Sequence, residues 1–169
     1  MNKKNLILSS LLCGLSALTF FIMFIPIISV TGYDLELFTL INRMSEWYMV
    51  EEYVWGIAAL ISIIVLPLLF FSSILSIFVA CGEIRNKITQ IVIYIVNIVL
   101  SSLVVGVVVN YFLGLGNGLD ASGLELFKDE TFFKYSTAFF YLHTIFSIAM
   151  LVIACFNFNK SKKTKNTQK

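Results

Sequence analysis

Four uninterrupted apolar stretches, roughly 5–28, 55–82, 88–114 and 136–156, occupy most of the 169 residues. Each is long enough for a helix to cross the ~30 Å hydrocarbon core of a bilayer. Inside that core no water is available to backbone N–H and C=O groups, so a spanning segment must satisfy them within itself, which means a helix. A soluble core does not account for the composition. Hydrophobic residues make up 59% of the chain and charged residues 13%, and the mean hydropathy is +0.90, far from soluble globular usage. The expected fold is an all-α membrane protein: four transmembrane helices in an antiparallel bundle, with a small β-hairpin or strand segment outside the membrane after the first span. The connections leave no room for a further module, so 1–169 reads as one four-span membrane domain.

The charges set the expected orientation. Nine of the twelve basic residues fall on one side: Lys3 and Lys4 before the first span, Arg85 and Lys87 in the tight second connection, and five lysines from Lys160 to Lys169. Glu83 is the one acid with them. The first and third connections hold the other nine acids, with Arg43, Lys128 and Lys134 as their basic residues. By the positive-inside rule both termini are cytoplasmic and the outer loops acidic, in a multi-pass protein of the cell membrane. The basic tail 159–169 can lie against anionic headgroups, though orienting the last span is reason enough for it. Lys3 and Lys4 ahead of an apolar run also resemble the start of a signal peptide, but the run is too long for a signal core and reads as an uncleaved anchor.

The spans contain no Asp, Glu, Lys or Arg, the side chains that usually mark an intramembrane reaction centre or ion path. No CxxC or HExxH spacing occurs, and the chain has a single histidine, so neither a metal nor a cofactor is expected, and no catalytic residue can be named. Cys13, Cys81 and Cys155 fall within spans or at their inner ends, where they read as inert apolar residues. The expected partners are the lipid bilayer and a protein, either a different chain or further copies of this one; no nucleic acid is expected.

Helices in lipid associate through small residues and scattered polar contacts. In the third span Ser102, Gly106, Asn110 and Gly114 recur every four residues. Ser102, Gly106 and Gly114 are the candidate helix-packing stripe, serving either the bundle or a homodimer. Ser72, Ser76 and Ala80 in the second span, and Ser10 and Gly14 in the first, suggest further packing faces. Pro67 removes an amide donor near the middle of the second span and is expected to kink it. His143 is the leading polar candidate. It lies about seven residues, or ~10 Å, inside the outer end of the fourth span, at a depth where Asn110 of the antiparallel third span can meet it. The pair reads as an interhelical clamp, with a proton relay or ligand site as the alternative. Asn97, nearer the inner side, reads as another such contact.

From Ser29 onward Val30, Tyr33, Leu35 and Leu37 alternate with polar residues as in a half-buried strand, and Gly32 suits a turn. Asn42 to Tyr53 reads as an amphipathic interfacial helix with an aromatic belt of Trp47, Tyr48 and Trp55. The tetrapeptide Leu35-Glu36-Leu37-Phe38 recurs as Leu124-Glu125-Leu126-Phe127, which raises a duplication of two helical hairpins.

The run from Phe24-Ile25-Pro26 through Ser29 to Tyr33, followed by Leu35 to Phe38, resembles small four-span membrane proteins of low-GC Gram-positive bacteria. Thr137 to Leu142 is similar to the opening of their fourth span. That resemblance implies architecture and no activity. It lacks the N-terminal zinc ribbon that many of those proteins carry. The layout is also distantly similar to claudin-like four-span proteins, without their first-loop cysteine pair or tryptophan signature. The expected function is that of a non-catalytic integral membrane protein: an accessory subunit, scaffold or envelope-associated partner. The alternatives are a small oligomeric transporter or channel subunit, and an immunity protein against a membrane-active toxin.

Overall fold

The computed structural model describes residues 3–30, 33–36, 50–116 and 138–166. Each apolar stretch forms one helix: α1 (Lys3–Ile22), α2 (Val50–Cys81), α3 (Lys87–Gly116) and α4 (Ala138–Asn166). All four are long and apolar enough to span a membrane. They pack as a ring in which α1 touches α2 and α4, and α3 touches α2 and α4. Neighbours in the ring therefore run antiparallel. α1 and α3 face each other across the diagonal, and Lys3 and Asn166, the first and last described residues, lie toward one end, here called the lower end.

The helix ends differ from the apolar runs for local reasons. α1 stops at Ile22, six residues before its apolar run does, because Pro26 cannot continue a helix. The chain tightens before it leaves. The amides of Met23, Phe24 and Ile25 donate to the carbonyls of Phe20, Phe21 and Ile22 at 3.2, 3.2 and 3.0 Å, the three-residue bonds that commonly close a last turn. Pro26 then opens strand β1 (Pro26–Val30), which pairs antiparallel with β2 (Tyr33–Glu36). This strand begins three residues earlier than the alternation from Ser29 suggests. The register slips between Pro26 and Ile28, next to the residue that has no N–H to give to a ladder. At the other end of the chain, α4 runs on to Asn166, so the first part of the basic tail is helical. α2 begins at Val50 and includes Glu51 and Glu52, which the sequence pattern puts in the connection. It continues through Pro67 without interruption.

The link between α2 and α3 is tied at both ends. Gly82 has φ of 93°. Its amide donates to the carbonyl of Val79 at 3.1 Å, and that of Glu83 donates to the carbonyl of Phe78 at 3.1 Å. That is a Schellman motif with glycine in the left-handed position, which a side chain would strain. Asn86 then caps α3, its Oδ1 accepting from the amides of Ile88 and Thr89 at 2.9 and 3.4 Å, which occupies donors a helix start leaves open.

Burial follows a seven-residue period. The inward residues of α1 are Asn5, Ser9, Leu12, Ser16, Thr19 and Ile22, and those of α4 are His143, Ser147, Met150, Ala154 and Asn157. Steps of three and four residues are what antiparallel helices crossing at about 20° bury. Among the described residues the interior is almost evenly divided, thirteen polar to fourteen apolar. The exterior is bulky and apolar, as at Phe21, Phe71 and Phe156. Soluble proteins show the reverse arrangement. Here the oily face meets lipid and the small polar groups meet one another, where they can be hydrogen-bonded.

Candidate intramembrane polar site

Serine and threonine hydroxyls line the interior, and several of their protons are already committed to their own helices. Ser16 donates to the carbonyl of Cys13 at 2.9 Å, Thr19 to Leu15 at 2.7 Å, Ser73 to Phe70 at 2.7 Å and Ser147 to His143 at 2.7 Å. Such back-bonding is how a hydroxyl is accommodated within a helix. It leaves the oxygen lone pairs as the polar feature the interior presents.

Two asparagines then cross between helices. Asn97 of α3 donates through Nδ2 to Ser76 Oγ of α2 at 2.6 Å. Ser76 in turn donates to the carbonyl of Ser72 at 3.2 Å. Because its one proton is used there, Ser76 has to accept from Asn97, which fixes the orientation of that amide. Asn157 of α4 donates through Nδ2 to Ser9 Oγ of α1 at 2.8 Å, joining residues 148 apart in sequence. Across the diagonal, Asn5 hydrogen-bonds Tyr94.

These bonds lie in one layer. Asn157 is level with Ser9. Asn5 stands one turn below Ser9 on α1, and its partner Tyr94 stands one turn below Asn97 on α3, so Asn97 and Ser9 share a level. Ser76, Asn97, Asn157 and Ser9 therefore bring one polar residue from each helix to a single lower layer. Moving up two to three turns, the layer becomes Leu66, Leu69, Val104 and Met150, all buried. About 21 Å above Asn157, at 1.5 Å per residue, His143 marks the upper end.

His143 is 3% exposed, and its Nε2 has no hydrogen-bond partner among the described residues. Asn110 lies in α3, but its side chain and the surroundings of Gly114 fall outside the described residues, so the expected clamp between His143 and Asn110 is not placed. Ser102 and Gly106 are exposed. This part of the stripe does not pack inside the bundle, and a Cβ built on Gly106 meets nothing within 4 Å. Ser10 and Gly14 on α1 also face outward, whereas Ser72, Ser76 and Ala80 of α2 are buried as the spacing suggests. A four-residue step drifts around a helix, while the three-and-four alternation keeps to one seam. That alternation is the signal that identifies Ser9, Ser76 and Asn157 as contact residues. The interfacial segment 42–49, the third connection and the second copy of the repeated tetrapeptide lie outside the described residues. The described residues include no group of three or more His, Cys, Asp or Glu placed to hold a metal.

No family model matches the chain, and no curated protein or solved structure matches it.

Proposed function

We propose that this is a non-catalytic, multi-pass protein of the cell membrane, with both termini cytoplasmic, that serves as an accessory subunit or scaffold by associating sideways with a protein partner. The observation that carries the reading is the pair of small-residue faces on the outside of the bundle. Ser10 and Gly14 on α1, and Ser102 and Gly106 on α3, are exposed in an exterior otherwise built from bulky side chains. Beyond Gly14, as beyond Gly106, there is open space. Such Ser-x-x-x-Gly steps let a second helix backbone approach closely. α1 and α3 are diagonal in the ring, so the two faces look in opposite directions and suit a protein that sits between neighbours. A channel fits less well, since Leu66, Leu69, Val104 and Met150 fill the middle of the bundle.

The test is native extraction of the tagged protein without detergent, with mass spectrometry of whatever accompanies it, for the wild type and for Gly14→Leu and Gly106→Leu. Both glycines face open space, so the bundle is expected to stay folded in either variant. A stoichiometric partner should accompany the wild type and be lost from at least one variant. Finding the wild-type protein alone, or finding the partner equally with all three, would overturn the reading.

A further inference from the structure

At the lower end of the bundle the cations are unevenly spread. α1 begins with Lys3 and Lys4, and α3 begins with Lys87, two residues after Arg85; all four are exposed. α4 stands between α1 and α3 in the ring. It continues as helix past Asn159, where its span ends, to Asn166, and this extension contains Lys160, Lys162, Lys163 and Lys165. α2 reaches the same end with no basic residue in its last turn. It is followed by Glu83, the one acid among the described residues of the lower end, which is also exposed. The basic residues therefore form an arc over α1, α4 and α3, three successive helices of the ring, and leave out the end of α2.

Orienting the spans requires only that enough cations lie on one side of the membrane. It does not require them on these helix ends. α1 and α3 both turn their N-termini, the partly positive ends of their dipoles, toward the lower end, and neither has an acid in its first turn. A lysine in that turn works against the dipole, and a nearby anion offsets the cost. Depth identifies the anion. Lys3 and Lys87 are the first residues of their spans and Asn159 is the last of the fourth, so the arc stands at the border of the hydrocarbon, where long basic side chains reach the headgroup layer. We propose that the arc is a docking surface for anionic phospholipid, gathering headgroups such as that of phosphatidylglycerol on the α1, α4 and α3 side of the bundle in the lower leaflet. Charge complementarity favours such a lipid over a zwitterionic one, whose own cation the arc repels. An acidic soluble protein meets the same charge only from beyond the headgroups, whereas the lipid phosphate already lies at the level of Lys3 and Lys87.

The experiment reconstitutes the purified full chain in phosphatidylcholine bilayers with a trace of spin-labelled phosphatidylglycerol or spin-labelled phosphatidylcholine, and reads by electron paramagnetic resonance the fraction of each lipid slowed against the protein. Phosphatidylglycerol is expected to be favoured about fivefold in that shell at low salt, the factor that one cation near an anionic headgroup supplies. The preference should fall close to one at about 1 M sodium chloride, where charges are screened beyond ~3 Å. Neutralising Lys3, Lys4, Arg85 and Lys87 together to glutamine, with the α4 lysines intact, should remove most of it while helix content stays that of the wild type. Equal association of the two lipids with the wild type would overturn the proposal and leave the cations to an acidic protein surface. A preference that survives high salt, or one that is undiminished in the folded quadruple variant, would overturn it as well. The salt series needs only the wild type, so it decides the matter even if the variant does not fold.

Discussion

Replacing Asn97 and Asn157 together by leucine is expected to destabilise the folded bundle by about 1–3 kcal/mol, because interhelical hydrogen bonds in membranes contribute roughly 0.6 kcal/mol each on average and up to about 1.7. Leucine is close in bulk and more apolar, so insertion into the membrane is not impaired and the loss reports the contacts themselves. The two single variants should each account for part of the loss. Their effects should add, since Asn97 bonds Ser76 and Asn157 bonds Ser9, with no residue shared between the two direct contacts. Reversible unfolding in mixed detergent micelles, followed by helix content, measures all three variants on one scale. No loss in the double variant would mean that the two asparagines do not hold the helices together.

The second large effect separates two neighbouring leucines. Leu69 is fully buried and Leu68 is 51% exposed, yet both lie near the middle of the same span. In a soluble protein, truncating a buried leucine loses transfer free energy as well as packing. In a membrane the transfer part largely disappears, since lipid tails are as apolar as leucine. What remains for Leu69→Ala is the cavity, about 1–3 kcal/mol. Leu68→Ala exposes the same apolar surface to lipid and should change stability by well under about 0.5 kcal/mol, as surface substitutions away from special features do. The same unfolding assay decides the matter. Equal losses at the two positions would contradict the assignment of the inner and outer faces of α2.

Much of this architecture is legible in the residues themselves, because the bilayer imposes one strong rule. The four runs are long and apolar enough to span, and each forms one helix. Which face of a helix is inward depends on the period by which it is read. Reading the third span by its four-residue repeat selects Ser102 and Gly106, which face outward; reading it by alternating steps of three and four selects Tyr94, Asn97, Ser101 and Val104, which face inward. Hydropathy cannot make that distinction, since in this protein the inward residues are the more polar and a window average blends both faces. The bond between Asn157 and Ser9 is still less accessible to sequence reading. Nothing in the sequence states that the first and last helices are neighbours, and only closing the ring brings two residues 148 apart into contact. Chain termination is local and therefore easier. Pro26 and Gly82 each mark a helix end through the backbone conformation they require.

The central claim is that the four helices turn their small polar residues inward and hold one another through them, with α1 and α4 closing the ring. Cysteine crosslinking in native membranes tests it most directly, in a background where Cys13, Cys81 and Cys155 are replaced by alanine. Ser9→Cys with Asn157→Cys places two thiols where side chains now meet at 2.8 Å. Ser10→Cys with Phe156→Cys places them on the exposed faces of the same two helices. The account predicts rapid disulfide formation within one chain for the first pair and none for the second. A crosslink in the outward pair and its absence in the inward pair would contradict it.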